Sequence, residues 1–341
     1  MKACVIHAPH DLRIEEAEVP ALGPHSVKVK IGAGGICGSD LHYFHNGGFG
    51  TVRIKEPMIL GHEVAGTVTE IGSAVTTVKV GDRAAINPNQ PCNACAQCLA
   101  GRANLCLDVR FYGSAMRFPH VQGAFREILV ADERQIFTIP DDISLGQAAF
   151  AEPLAVCLHA VTRASTVAGK RVLVTGVGPI GALTILAARC FGAREIVATD
   201  VAAFPLKTAE TVGADRVIDV STGTLDEYAA NKGTFDVLLE CSGNGRALAS
   251  GLNVVRPGGT VVQLGLGGDM ELGINTIVTK ELELRGSFRF HEEFGWAVDY
   301  ISRGLIDVQP LLTDTIPLAD ARRAFELASD KSRAMKVQLG F

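Results

Sequence analysis

Residues 170–200 read KRVLVTGVGPIGALTILAARCFGAREIVATD, and the rest of the chain is read outward from this stretch. Val172–Thr175 is a short β-branched, apolar run of the kind that forms a strand buried on both faces. Gly176-Val177-Gly178-Pro179-Ile180-Gly181 follows at once, and an Ala/Leu/Ile-rich helical stretch continues to about Phe191. Ile196–Thr199 reads as a second strand, ending on Asp200. The three glycines serve different ends. Gly176 makes the tight turn, Gly178 lets a pyrophosphate approach the backbone, and Gly181 lets helix pack on strand. Pro179 suits a first helical turn, where the amide it lacks has no partner anyway. The free N–H groups and the helix dipole then point at a phosphate. Asp200 stands nineteen residues after Gly181, where an acid accepts hydrogen bonds from an adenosine ribose. A lone GxGxxG is a weak sign, because Gly-rich packing turns occur in many α/β proteins. Here strand, turn, helix, strand and terminal acid agree, so dinucleotide binding is expected. Asp200 repels a 2′-phosphate and the nearby Phe204 is not an arginine, so NAD is expected ahead of NADP.

From about Ser144 onward strands and helices alternate. Val172–Thr175, Ile196–Thr199, Arg216–Ile218, Val237–Leu239, Thr260–Leu264 and Leu282–Arg285 make six strand candidates, the number a doubly wound Rossmann sheet needs. The first ~140 residues read differently, as short strands with glycine turns and few helical periods. Ala3–Ile6, Ser26–Ile31, Glu63–Ile71, Arg83–Ile86 and Phe125–Val130 are the examples, and they suggest a mostly antiparallel, barrel-like domain. After Ser287 come helical stretches near Glu292–Arg303 and Leu318–Ser329 and a closing strand at Lys336–Leu339. That tail has no phosphate loop and is expected to return to the first domain. The expected division is a β-rich catalytic domain at 1–143, a nucleotide-binding domain at 144–288 and a C-terminal return at 289–341.

At 341 residues the chain is long enough for two domains with proper cores. Hydrophobic content of 47% and a net charge of −5 describe an ordinary globular protein and give no basic footprint for nucleic acid. The opening MKACVIHAPHDLRIEE lacks a charged-then-apolar signal pattern, so a cytoplasmic protein is expected. The uncharged run Val172–Ala188 is broken by the glycine–proline turn and is not read as a membrane span.

Four of the nine cysteines crowd into one loop, Cys92-x2-Cys95-x2-Cys98-x7-Cys106. Four thiolates within fifteen residues match a tetrahedral Zn–S4 site, closed to water and therefore structural. The polar loop PCNACAQCLAGRANLC has no core in which to bury four unpaired cysteines. An iron–sulfur cluster fits the ligand type alone, and the acidic balance argues against a zinc-ribbon module for nucleic acid. A second, reactive metal needs ligands elsewhere and an open position. Candidates occur in GICGSDLH (35–42), GHE (61–63) and AEPL (151–154), but a lone cysteine or histidine is usually core packing, and spacing alone does not join these segments.

Taken together, GGICGSDLHY, LGHEVAGTV, the four-cysteine loop, AEPLAV and GVGPIG resemble the zinc-dependent medium-chain alcohol/polyol dehydrogenases, in the family's order and over the whole chain. Within the family, RFYGSAMRFPHVQGAF, GSFRF and AMKVQLGF are most similar to the L-idonate 5-dehydrogenases, with sorbitol, xylitol and threonine dehydrogenases as near relatives. The resemblance implies an α/β protein with a GroES-like barrel and a Rossmann domain, one catalytic and one structural zinc, and NAD as hydride acceptor. It implies Cys37 and His62 as the first catalytic zinc ligands and Glu63 or Glu152 as the third. It also implies Ser39 and His42 as the proton relay, with Asp40 orienting the segment or a ligand histidine. A thiolate, an imidazole and a carboxylate leave zinc positive enough to act as a Lewis acid.

By position, Tyr43, Phe111, Tyr112, Glu152, Arg289 and Phe290 fall where polyol dehydrogenases contact substrate. Phe290 replaces a tyrosine common there and removes a hydroxyl donor. Arg110, Arg117 and His120 add positive charge over the expected pocket, which suits a sugar acid, unless they are solvated loop charges. Leu264, Ser287 and Arg289 are expected beside the nicotinamide, completing the set Gly176, Gly178, Pro179, Ile180, Gly181 and Asp200. The reading is reversible oxidation of L-idonate to 5-ketogluconate, with a neutral polyol as the alternative substrate and a non-catalytic nucleotide-binding zinc protein as the alternative class. A homo-oligomer, a tetramer, is implied by the resemblance.

Overall fold

The computed structural model describes residues 1–341. The N-terminal part is built on a seven-stranded sheet in the order Ile136–Thr138, Arg83–Ile86, Glu63–Ile71, Ser26–Gly35, Lys336–Gly340, Leu312–Pro317, with Ile128–Asp132 also paired to Ser26–Gly35. Ser26–Gly35 is the hub. Its Val27, Val29 and Ile31 are buried and the residues between them face outward, the period of a half-buried strand. Its pairing with Glu63–Ile71 shifts register at Lys28/Val29 and at Ile31/Ala33. Such bulges bend and twist a strand, which lets this sheet curl towards a barrel. A smaller sheet of Asp11–Glu16, Lys2–Ala8 and Met58–Ile59 covers one side.

One expected strand, Phe125–Val130, forms only from Ile128. The Phe125 amide donates to Leu60 O, and its fully buried ring fills the space beside Gly61, where a Cβ would lie 2.2 Å from the ring. Packing on that glycine draws the segment off the ladder.

The second sheet is six-stranded and parallel, ordered Arg216–Asp219, Glu195–Asp200, Arg171–Thr175, Phe235–Glu240, Val255–Gln263, Glu283–Gly286. In chain order this is the 3-2-1-4-5-6 arrangement of a doubly wound sheet, with its crevice where the order reverses beside Arg171–Thr175. Val172 and Val174 enter one core and Leu173 the other, so this strand buries both faces. Helices Ala151–Arg163 and Pro179–Cys190 pack on one face, and Gly245–Val254 on the other. No helix is long and apolar enough to cross a membrane.

The segment 289–341 is shared. Helix Glu293–Ser302 packs against Ala151–Arg163 in the core of the nucleotide sheet, while Leu312–Pro317 and Lys336–Gly340 complete the N-terminal sheet.

The glycine turn gives a contrast in stability. A Cβ on Gly181 would sit 1.9 Å from Gly176 O, whereas one on Gly178 would meet nothing within 4 Å. Urea denaturation of Gly181→Ala should show a loss of about 1–3 kcal/mol. Gly178→Ala should be neutral or stabilising by about 0.4–1 kcal/mol. Equal losses would contradict the packing described here.

Candidate active site and metal centres

The strand Ser26–Gly35 runs into Cys37, which caps the N-terminus of helix Gly38–Asn46. The third residue of that helix, Asp40, is fully buried. Its Oδ2 accepts from Cys37 N at 3.0 Å and its Oδ1 from Gly61 N at 3.2 Å. One carboxylate thereby fixes the two backbone segments that carry Cys37 and His62. Ligand atoms of Cys37, His62 and Glu63 lie within 4.8 Å of one another. His62 Nδ1 is buried without a hydrogen-bond partner, 3.9 Å from Asp40 Oδ1.

Lys336, from the closing strand, enters the same site. Its Nζ donates to both Glu63 oxygens at 2.8 and 2.9 Å and to Ile36 O at 3.2 Å. Glu152, in the first turn of Ala151–Arg163, is buried nearby but outside the three-donor set. Burial pushes its carboxyl up to about 8 against the pull of His62, and Glu63 and Cys37 add to the rise. Burial and then Glu63 push the Cys37 thiol up to about 12, with Lys336 opposing. Three carboxyls and a thiol thus share one buried ammonium. Held so, Glu152 and Cys37 keep their protons beside the Glu63–Lys336 pair, and a cation bound there would favour their charged forms. Thiolate, imidazole and carboxylate suit zinc, and three protein ligands leave a fourth position open. The donor set fits the ion.

Ser39 and His42 stand three apart on the helix that begins after Cys37, hence on one face. Ser39 is half-buried, two residues after Cys37, while His42 is exposed, with its ring 5.9 Å from Phe49. The pair therefore runs from the buried cluster to solvent.

The four loop cysteines also converge, with ligand atoms within 4.8 Å. Backbone amides donate to their sulfurs: Cys92 N to Cys106 at 3.2 Å, Cys95 N to Cys92 at 3.3 Å, Leu107 N to Cys95 at 3.4 Å. The amide of Leu107, with that of Cys98, draws the Cys95 thiol down to about 6. These bonds favour thiolates at Cys92 and Cys95, and four convergent protein sulfurs would hold a zinc ion with no position left open.

At the glycine turn, Gly178 precedes Pro179, the first residue of helix Pro179–Cys190, and has no side chain to cap it. The space a Cβ would take at Gly178 is empty, which leaves room for a phosphate against the backbone. Ile180 follows Pro179 in the same turn. Asp200 Oδ2 accepts from Val177 N at 2.7 Å, and Oδ1 from Val201 N at 2.7 Å, so the acid is locked onto the glycine turn. Leu264 and Ser287 lie at neighbouring strand ends; Ser287 N donates to Gln263 O, and its hydroxyl is buried without a partner.

On the substrate side, Arg289 and Phe111 line a cavity of ≈ 280 Å³ with Cys106, Leu107, Met116 and Arg117. Phe111 lies 5.4 Å from the His62 ring, and the Arg289 guanidinium lies 4.3 Å over Phe111, so the Phe111 ring stands between this cavity and His62. The Tyr43 hydroxyl accepts from Ala115 N at 2.9 Å. Other expected contacts do not gather here. Tyr112 gives its hydroxyl to Gln135 and packs in the barrel core, because strand alternation turns it away from Phe111. Phe290 is fully buried against Phe294 and does not line this cavity. Arg110 is exposed and does not line the cavity. Arg117 does, but it is engaged with Asp108 at 2.7 Å and with the Leu107 and Val109 carbonyls. His120 is buried, its Nδ1 against Arg117 O and its Nε2 accepting from Lys55 N.

Two site residues escaped the sequence reading. Lys336 opens an otherwise uncharged strand, KVQLG, and that isolated charge was its only signal. Glu240 ends the strand FDVLLE after the apolar run VLL; fully buried, it takes Ser242 N at 2.9 Å and Gly243 N at 3.0 Å, together with Gln263, and so shapes the crevice floor.

Comparison with known proteins agrees with this geometry. Residues 23–141 match the model for the alcohol dehydrogenase GroES-like domain, and residues 179–303 that for zinc-binding dehydrogenase. The chain is 42% identical to L-idonate 5-dehydrogenase (NAD(P)+) of Escherichia coli, over 100% of this chain and 98% of that one. It is 36% identical to sorbitol dehydrogenase of Bacillus subtilis, over 99% and 97%. The crystal structure of the Escherichia coli L-idonate 5-dehydrogenase superposes with a TM-score of 0.97 at 41% identity, covering 100% of this chain and 98% of that one.

Removing Lys336 should separate the two charge states of the cluster. In metal-free protein Lys336→Met leaves Glu63 buried without a partner and should cost about 3–5 kcal/mol by chemical denaturation. With zinc added the cost should shrink clearly. The same cost with and without zinc would show that the lysine and the metal do not share Glu63.

Proposed function

The chain belongs to the zinc-dependent medium-chain alcohol and polyol dehydrogenases, a family acting on polyols and sugar acids with NAD(P), and from that premise we propose that it interconverts L-idonate and 5-ketogluconate. The observation that carries the sugar-acid reading is Arg289. Its backbone is left-handed, at φ 55°, a conformation that costs a non-glycine residue of order 1–2 kcal/mol. Its guanidinium lies between Phe111 and Phe288, 4.3 and 5.0 Å from their ring centroids, and makes no ion pair. Nη2 reaches Met116 Sδ at 3.3 Å, and Nη1 is buried without a partner. A substrate carboxylate would supply the missing acceptor and the missing charge. The 42% identity to L-idonate 5-dehydrogenase supports this choice, and the 36% identity to sorbitol dehydrogenase makes a neutral polyol the alternative.

When bound, zinc would supply Lewis acidity to a substrate hydroxyl, and NAD a hydride acceptor. Cys37, His62 and Glu63 hold the metal in this reading, and Glu152 orients the hydroxyl from beside the set. Ser39 takes the hydroxyl proton and passes it to His42, which releases it to solvent. Asp40 keeps Cys37 and His62 in register, and Cys92, Cys95, Cys98 and Cys106 hold the structural zinc. Gly176, Gly178, Pro179, Ile180 and Gly181 receive the pyrophosphate, Asp200 the adenosine ribose, and Leu264, Ser287 and Arg289 the nicotinamide side. Tyr43 and Phe111 shape the substrate cavity. The cell compartment of this reading is the cytoplasm, and the assembly a homo-tetramer. The outer edge of strand Glu283–Gly286 has no neighbour, and the exposed Leu284 lies on it; both support self-association.

Steady-state kinetics test the assignment. Arg289→Ala should raise KM for L-idonate about 30-fold, the equivalent of about 2 kcal/mol, and change KM for sorbitol by less than about threefold. Arg110→Ala should change neither. A zinc chelator should abolish turnover, and added zinc should restore it. Equal effects of Arg289→Ala on both substrates, or better turnover of sorbitol by the wild type, would return the protein to the polyol dehydrogenases.

A further inference from the structure

Asn104 lies inside the four-cysteine loop, in the turn Ala103–Leu105 between Cys98 and Cys106. Its side chain is buried, and Nδ2 donates to Phe288 O at 3.0 Å, across 184 residues of sequence. That carbonyl belongs to the peptide joining Phe288 to Arg289, and this is the one hydrogen bond it receives. The segment is held on either side, by Ser287 N on Gln263 O and by the fully buried Phe290 ring. Between those anchors Asn104 alone fixes the peptide plane from which Arg289 leaves in its left-handed conformation. Cys106 and Leu107 of the same loop line the cavity with Arg289.

We propose that Asn104 is a positioning residue for substrate selection, holding the Phe288–Arg289 peptide so that the guanidinium lies over the cavity. The four-cysteine loop is then part of the specificity apparatus as well as a brace. The physical reason is the strain at Arg289. A non-glycine residue stays in the left-handed region only where its surroundings over-determine it. Without the amide of Asn104 the peptide can rotate and the guanidinium leaves its place over Phe111. With Cys98 and Cys106 on either side tied to one cluster, Asn104 has little freedom to follow, which makes its hold firm.

The proposal rests on the role given to Arg289 above, and its test separates the two. Asn104→Ala and the near-isosteric Asn104→Leu should each raise KM for L-idonate about tenfold, leave kcat within twofold, and leave KM for sorbitol within twofold. Zinc content should stay at the wild-type value in both, which shows the loop intact. In an Arg289→Ala background the Asn104→Ala change should add less than twofold, because both act through one side chain. Independent, multiplying effects of the two substitutions would overturn the proposal. So would a rise in KM that is the same for both substrates, or wild-type kinetics in both Asn104 variants. If Arg289→Ala itself fails to distinguish the substrates, the sugar-acid reading falls. The coupling between positions 104 and 289 then still decides, on the better substrate, whether Asn104 positions the arginine.

Discussion

Asp40, Glu63 and Glu152 are buried around the half-buried thiol of Cys37 with one lysine to offset them, and much of the molecule is arranged to make that tolerable. Asp40 spends its oxygens on two backbone amides, so its charge is met by N–H groups and it sets the spacing of Cys37 and His62. Glu63 is met by Lys336, the first residue of the closing strand. The C-terminal strand must therefore return to the N-terminal sheet, beside Ser26–Gly35, for the site to be complete. Even Gly35 answers to this constraint, since a Cβ there would lie 2.2 Å from Glu63 Oε2. What remains without a partner is Glu152, the thiol and an imidazole with a free nitrogen, and a divalent ion would take up the last two.

The same economy governs the nucleotide crevice. Asp200 and Glu240 each end a parallel strand and each collect backbone amides from the following turn, Asp200 also taking Val177 N from the neighbouring glycine turn. The carboxylates thus hold these turns together with the buried Val177, and the space beside Gly178 stays open. Helix Ala151–Arg163 joins the two halves. Its first turn brings Glu152 beside the metal ligands, and further along His159 bonds Glu293 at 2.8 Å on the helix packed against it.

What could be read in the chain was local. The glycine turn, its terminal acid and the four-cysteine loop depend on spacings of a few residues, and the six parallel strands on runs of β-branched residues. The convergence of Cys37, His62 and Glu63 was not local, and only the family resemblance joined those segments in advance. Lys336 and Asn104 lie farther out of reach, because each meets a partner more than 180 residues away. Arginines near the cavity were visible, but not which one was free. Arg117 is taken by Asp108, whereas Arg289 is freed by a backbone conformation that residue type does not announce. Tyr112 and Phe290 failed for a related reason, since one residue's shift along the backbone turns a side chain from the cavity into the core.

Anomalous scattering at the zinc edge from crystals of the native protein tests the central claim most directly. Two peaks per chain are expected, one within bonding distance of Cys37, His62 and Glu63 and the other among Cys92, Cys95, Cys98 and Cys106. A single peak in the cysteine loop, with Lys336 alone against Glu63, would contradict the claim: the buried cluster would then be balanced without a metal.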